Sequence, residues 1–286
     1  MATLDDLKKA VTEVLDALVP TIASAKRRAW NPEVDGVLPL LRRAVLVRQY
    51  ECLQAILDLE KGGRGYAGVT LLRPAVEELI WCKYFSHIDH SVGSLLARVM
   101  SALEMQDSLK AQDDYLGRSA TKDLGLMGYL DQSGQIEAQA RGHLRAIGRQ
   151  LKWDRRTIEA GMLPSMAYLA KRTELKQEYN YLYHATSRFV HFSVAELLRR
   201  AWGTRESVSI TSENFRHYWT AFAVYWGFWL LSRTYLLMEK ELTADGVDDP
   251  DIDGDAIIKA FERIAEFGHV PIVTEAELKP GFENAV

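Results

Sequence analysis

The sequence predicts an all-α protein built as a bundle of long helices. Apolar residues recur at intervals of three and four along most of the chain, which is the pattern of amphipathic helices. Alternation of the kind that marks a strand is confined to the short stretch from Ser207 to Ile210. The run from Tyr218 to Ser232 is aromatic and uncharged, and a helix that is apolar on nearly all sides must be buried on most of its surface.

The composition indicates a folded globular protein without a general electrostatic preference for nucleic acid. The chain of 286 residues is 48% apolar, and its formal charge is −4 at pH 7. Any RNA contact would therefore use a local patch rather than a broad basic surface. Cys52 and Cys82 fall in apolar helical patterns and are too few for a disulfide framework, which favours reduced thiols.

The hydropathy pattern favours a cytoplasmic protein that does not enter a membrane. The first residues lack a charged segment followed by an apolar core, so we expect no secretory signal. The fifteen uncharged residues from Tyr218 to Ser232 fall short of the roughly twenty that a spanning helix needs. This run is therefore predicted to lie at the centre of the bundle or at an oligomer interface.

The predicted helices divide the chain into three segments. They are an N-terminal helical segment (1–31), a helical bundle domain (32–242), and an acidic linker with a short helix and an extended tail (243–286). A bundle helix that starts at Pro32 ends at the glycine pair Gly62 and Gly63. Further helices are predicted over 65–87, 92–115, 135–153, 174–202 and 213–242, with irregular loops near 117–134, where a short helical turn is expected, and 157–165.

One predicted helix carries an arginine and a glutamate at helical spacing. Arg73 and Glu77 are four residues apart and are therefore neighbours on the helix surface. Pro74 cannot donate to the carbonyl of Thr70, so the helix should bend or restart beside Arg73. The pair is either an ordinary intrahelical ion pair or a shoulder that is presented to a neighbouring helix.

The segment from Glu178 to Arg200 carries the principal candidate site. At about 100° per residue, five polar residues fall on one stripe of a predicted helix whose other sides are apolar. These residues are Asn180, His184, Ser187, Arg188 and His191. Neither Lys nor Glu occurs between Tyr179 and Ala195, so the stripe lacks the residues that normally cover a solvent-facing helix. We therefore expect it to face protein or a pocket.

The residue types of this stripe suit acid–base chemistry without a metal. Histidine is the usual general acid or base near neutral pH, Ser187 can position a water molecule, and Arg188 can hold a phosphate. No HExxH pattern accompanies the histidines, which argues against a metal. The acidic stretch from Asp249 to Asp255 begins like a calcium loop, but Ala260 stands where the bidentate acid belongs. We predict neither a metal nor a cofactor.

Two motifs carry a resemblance to known families. Arg73-x3-Glu77 in one helix, followed about a hundred residues later by Tyr183-x3-Ser187-x3-His191, resembles an uncharacterised family of bacterial all-helical proteins with these motifs. More distantly, the chain is similar to the HEPN superfamily of helical-bundle ribonucleases and toxins, which includes abortive-infection and other phage-defence proteins. Arg73 and Glu77 correspond to the first motif, and Ser187 and His191 to the second.

The HEPN resemblance implies a HEPN-like bundle and a dimer in which two Arg-x4–6-His motifs meet to cut RNA without a metal. This chain departs from that pattern, since only two residues separate Arg188 and His191. The first hypothesis is thus a HEPN-like protein of bacterial defence or stress response that binds or cleaves RNA or a nucleotide. Its catalytic candidates are His184, Ser187, Arg188 and His191, and its binding candidates are Arg73, Glu77, Asn180 and Tyr183. The alternative is a non-enzymatic binding or scaffold protein whose polar stripe is a structural network, and either protein is predicted to form a homodimer or to bind a protein partner.

Overall fold

A computed structural model describes most of the chain. The described residues are 3–27, 30–31, 36–203, 207–244, Lys259, 262–264, Phe267 and 270–272, with the backbone alone at 202–203 and 239–244. Over these residues the protein is all-α, as the sequence predicts. The helices are α1 (Leu4–Ala17), α2 (Val19–Ala25), α3 (Leu38–Lys61), a 3-10 helix (Gly65–Leu71), α4 (Leu72–Ser86), α5 (His90–Leu116), α6 (Arg118–Asp123), α7 (Met127–Asp131), α8 (Ser133–Gln150), α9 (Arg155–Ala160), α10 (Met166–Arg172), α11 (Lys176–Val190), α12 (Val194–Arg199) and α13 (Arg216–Ala244).

A single small hairpin interrupts the helices of the described part. Strands β1 (Ala201–Gly203) and β2 (Val208–Ile210) pair antiparallel, with Ala201 opposite Ile210. The alternating stretch near Ser207 thus forms a strand, as its pattern predicts. It pairs with the residues that follow α12 rather than with a larger sheet.

The chain divides into two compact units. The first contains Met1–Ala29, Arg42–Lys83 and Ala170–Val286, and the second contains Trp30–Leu41 and Tyr84–Leu169. In the second unit α5 packs against α8, and the indole nitrogen of Trp153 donates to the hydroxyl of Tyr84 at 2.7 Å. This grouping does not test the predicted segment boundaries at 31/32 and 242/243, which stay a prediction.

Helix α13 is the centre of the first unit. Its aromatic residues Trp219, Phe222 and Phe228 are almost fully buried, and α1 and the 3-10 helix pack against it. Gly227 lets α3 approach closely, because a Cβ at this position would lie only 3.1 Å from the side chains of Leu53 and Ile56. The sequence predicted that this helix lies either at the centre of the bundle or at an oligomer interface. Within one chain it lies at the centre.

Most helix ends follow their sequence signals, and two predicted loops are wrong in part. Gly63 ends the turn after α3 with a φ of +73°, the left-handed conformation that glycine favours. The predicted loop 117–134 instead holds α6 and α7, two short helices separated by Gly125 at a φ of +73°. The predicted loop 157–165 begins inside α9, because Asp154 accepts from the Thr157 amide at 3.0 Å and caps that helix.

A buried amide ties three helices of the first unit together. Gln49 of α3 donates through Nε2 to the carbonyl oxygen of Ala75 in α4 at 3.1 Å. It accepts through Oε1 from the hydroxyl of Thr234 in α13 at 2.8 Å. Gln49 and Thr234 are 2% and 0% exposed, so neither group can recover a lost partner from solvent.

Replacement of this buried hydroxyl should destabilise the fold. Thr234→Val keeps the side-chain shape but leaves Gln49 Oε1 without its donor, and we expect the free energy of unfolding to fall by about 1–3 kcal/mol. Thr12→Val removes a hydroxyl that bonds only its own helix at an exposed position, and it should change little. Urea unfolding of both variants measures the difference, and equal losses would contradict the role of Gln49.

Candidate functional site

The helix that carries Arg73 begins where the proline signal places it. The chain changes from the 3-10 helix to α4 at Leu72, so that Pro74 lies in the first turn of α4. The missing amide of a proline costs nothing in the first turn, because amides there have no partner within the helix. The predicted restart beside Arg73 is confirmed.

Arg73 and Glu77 form a close, partly buried pair. Arg73 Nε donates to Glu77 Oε1 at 2.6 Å, and their side chains are 22% and 32% exposed. Burial lowers the pKa of Arg73, but the hydrogen bond and charge of Glu77, with the neighbouring tyrosines, raise this pKa above its ordinary value overall. The guanidinium therefore stays charged and in place.

Tyrosines of α11 cover the guanidinium of Arg73. The Cζ atom of Arg73 lies 4.1 Å from the centre of the Tyr183 ring, a cation–π distance. Tyr179 lies one turn before Tyr183 on α11, and the two rings are 5.6 Å apart. Burial raises the pKa of Tyr179, although the charge of Arg73 acts in the opposite direction. The structure thus brings Arg73, Glu77 and Tyr183 together, as predicted for two facing motif helices.

The polar stripe of α11 does not face the interior of the chain. Tyr179, Leu182, Ala185 and Thr186 form the buried side of this helix. Asn180 and His184 are exposed, whereas Ser187 and Arg188 are half-buried. The expectation that the stripe faces protein or a pocket is therefore wrong for Asn180 and His184 within one chain. The apolar side of α11 occupies the contact with the bundle, which leaves the opposite side in solvent.

The helix predicted over 174–202 is interrupted after Val190. His191 has an extended backbone (φ −117°, ψ 161°), and α12 starts three residues later. The hydroxyl of Ser193 accepts from the Glu196 amide at 3.3 Å and caps α12. The sequence Ser193-x2-Glu196 is a capping-box pattern, and we attribute the break to it. His191 consequently lies exposed at the helix end rather than on the helical stripe.

Four candidate residues have no side-chain hydrogen bond or ion pair within the part of the chain that the structure describes. No side-chain hydrogen bond or ion pair of Ser187, Arg188 or His191 is found among the described residues. His184 makes only an edge contact with Tyr183, with the rings 5.8 Å apart at 90°. The structure therefore separates a paired network (Arg73, Glu77, Tyr183) from a set of accessible polar groups on α11 and just beyond it.

An apolar surface adjoins these groups, and the sequence analysis did not anticipate it. The exposed residues, between 45% and 85% accessible, are Val190, Phe192, Val194, Leu197 and Leu198. We define these five as the α12 patch. The sequence did contain a signal for this surface, because apolar residues occur on all sides of this short segment. Once the helix is interrupted, these residues cannot all be buried.

A buried ion pair behind the α12 patch was also missed. Arg199 Nη1 lies 3.5 Å from Glu196 Oε2, both side chains are 10% exposed, and the Arg199 guanidinium lies 4.9 Å from the Trp219 ring. Phe189 packs edge-on against the same Trp219 at 4.8 Å. The sequence could have indicated this ion pair, because Glu196 and Arg199 are three residues apart and therefore neighbours on a helix surface.

Part of the C-terminal tail packs on its own chain. The hydroxyl of Tyr181 donates to the carbonyl oxygen of Val270, and Arg199 Nη2 donates to that of Ile272 at 3.4 Å. The predicted calcium-like stretch from Asp249 to Asp255 lies outside the described residues. No three potential metal ligands among His, Cys, Asp and Glu are grouped in the described part of the chain, and metal-independent chemistry stays a prediction.

The fold and site define an all-α protein in which an arginine–glutamate helix packs against a tyrosine–serine helix that ends at a histidine. Residues 43–207, more than half of the chain, match the model of a family of unknown function, DUF5677, and the chain belongs to this family. The match spans both motif helices. No curated protein and no solved structure matches the chain. Within the described ranges, no helix is both long enough and apolar enough to span a membrane.

Because the Arg73 guanidinium stacks on the Tyr183 ring, we predict that a lysine at position 73 does not preserve the stability of the fold. Arg73→Lys keeps the charge but loses the planar contact with Tyr183 and the Nε bond, and we expect it to lower the free energy of unfolding by about 1 kcal/mol. Arg155→Lys is the matched control, because Arg155 binds Glu159 at the same spacing and at 2.6 Å but is 90% exposed. Chemical denaturation compares the two, and an equal effect would show that Tyr183 contributes nothing.

Proposed function

We propose that the chain is a HEPN-like protein of bacterial defence or stress response that binds RNA or a nucleotide through α11 and cleaves RNA without a metal. The observation that carries the proposal is a set of polar side chains with no hydrogen bond or ion pair to a described residue: the exposed His184 and His191 and the half-buried Ser187 and Arg188. None of the four side chains makes a hydrogen bond or an ion pair with a described residue, so their polar atoms are available to a ligand. Such groups are suited to a ligand.

Each proposed role follows from side-chain chemistry. The Arg188 guanidinium pairs with a phosphate, and an imidazole of His184 or His191 moves a proton at the ribose hydroxyl or the leaving oxygen. The Phe192 ring, 85% exposed beside His191, offers a surface on which a base can stack. Arg73, Glu77 and Tyr183 hold the α11 backbone in position from the other side.

A second candidate function rests on the same network. Arg73 is engaged by Glu77 and by Tyr183, so this half of the predicted site is consistent with a structural role. A non-enzymatic binding or scaffold protein would use α11 for stability and the α12 patch for a partner. The two functions predict different effects of replacing an accessible histidine: the nuclease loses activity without losing stability, whereas the scaffold protein loses function only as it loses stability.

A metal-free RNA cleavage assay tests the first function. We expect wild-type protein to cleave RNA in excess chelator and His191→Ala to lose at least about a hundredfold in rate, the usual contribution of a general acid or base. His143→Ala is the control, because His143 is an exposed histidine of α8. Both variants should unfold at the wild-type denaturant concentration.

The outcomes separate the two functions. Cleavage that is absent from the wild type, or equal in wild type and His191→Ala, removes the nuclease proposal. RNA binding that weakens in Arg188→Gln without cleavage would leave a binding protein. A loss of function that follows a loss of stability would favour the scaffold alternative.

The α12 patch supports the proposed homodimer. The aromatic face of α13 is buried within its own chain, so it cannot serve as the interface. Phe192 and Leu198 are 85% and 63% exposed next to the accessible histidines, and a second copy covering them would place two sets of candidate groups side by side.

Light scattering measures this association. Phe192→Ser should weaken dimerisation by about a hundredfold, because a two-fold interface loses the same apolar contact twice. Met105→Ser changes a residue that is 67% exposed on α5 and should leave the association unchanged. A wild-type protein that is monomeric at micromolar concentration, or two variants that behave alike, would contradict the proposed interface.

A further inference from the structure

A cavity of about 210 Å³ lies in the first unit, apart from the residues discussed above. It is bounded by α4, by α13 and by Leu175, which immediately precedes α11. One side opens to solvent. The lining residues are Leu79, Lys83, Leu175, Arg233, Leu236 and Leu237.

The interior of the cavity is apolar. Leu79 and Leu175 are 1% and 2% exposed, so they belong to the core, whereas Leu236 on the α13 side is 50% exposed and lies at the open mouth. Leucine side chains offer no hydrogen bond to water, and apolar space of this kind binds hydrocarbon groups rather than ordered water. The volume is enough for a short hydrocarbon chain or one aromatic ring.

The charged part of the lining is cationic on both walls. Lys83 lies one turn after Leu79 on α4, and Arg233 lies one turn before Leu236 and Leu237 on α13. No carboxylate is among the six lining residues. Arg233 is exposed, its guanidinium lies 5.4 Å from the Trp229 ring, and it makes no ion pair with a described residue.

We propose that this cavity is a binding site for a monocarboxylate with a hydrocarbon body, such as a medium-chain fatty acid. The hydrocarbon chain enters the leucine-lined space, and the carboxylate meets Arg233 and Lys83 at the mouth. A nucleotide is too large and too polar for this space. Inorganic phosphate or acetate would leave the leucines uncovered, and a neutral hydrocarbon would bring no carboxylate to Arg233. The proposal is independent of the RNA-binding surface, because it uses none of the candidate residues of α11.

Three small molecules separate the contributions of chain and charge. Octanoate carries both features, octanol carries only the chain, and acetate carries only the head group. We expect octanoate to bind with a Kd of roughly 0.1–1 mM, the range for a ligand of this size, and the other two at least about tenfold more weakly. Isothermal titration calorimetry on the full chain measures the three affinities.

Trp229 provides a local signal for the same event. A carboxylate at Arg233 changes the charge next to the Trp229 ring, so octanoate should change the tryptophan emission of the wild type and much less that of Trp229→Phe. This comparison distinguishes the cavity from other apolar surfaces of the chain.

Matched arginine variants complete the experiment. Arg233→Gln should weaken octanoate about three- to tenfold and leave octanol unchanged. Arg156→Gln removes an exposed arginine outside the lining and should have no effect. Octanol that binds as tightly as octanoate, an unchanged affinity in Arg233→Gln, or no octanoate binding at about 10 mM would each overturn the proposal. If Arg233→Gln fails to fold, Lys83→Gln takes its place with the same expectations.

Discussion

The burial of α13 is the constraint on which the first unit depends. A long helix with aromatic residues on several sides needs neighbours all round, and it obtains them from α1, α3 and the 3-10 helix. Gly227 and the Gln49–Thr234 bond set how closely α3 approaches. With this side of the bundle fixed, α4 is oriented so that Arg73 meets Tyr183 of α11. The position of the candidate site follows from the packing of a helix that contributes none of its residues.

The sequence predicted the fold class and most long helices because these depend on local periodicity. Pro74 located the start of α4, and the glycine pair after Lys61 located the end of α3, since both residues act through their own backbone. Between residues 117 and 134 the sequence predicted a loop with one short helical turn rather than the two helices α6 and α7, because glycine-rich surroundings are also typical of loops.

The candidate site was predictable in one half and not in the other. Arg73, Glu77 and Tyr183 meet because two helices expose matching residues, which a pattern of spacing can indicate. The exposure of Asn180 and His184 was not predictable from their own neighbours, because it depends on which side of α11 the bundle covers. The break at His191 was within reach of the sequence, since Ser193 and Glu196 form a cap pattern, yet the continuing apolar residues concealed it.

The division of the first unit into three separated stretches of chain has a consequence for synthesis. The second unit consists of two stretches on either side of Arg42–Lys83, and it has its whole sequence once Leu169 has emerged from the ribosome. The first unit must wait for α13, whose residues begin at Arg216. Until then α3 has α1 and α4 as neighbours, but the apolar surfaces that α13 covers in the folded unit stay exposed. The helix that organises the first unit is thus made after the helices that it covers.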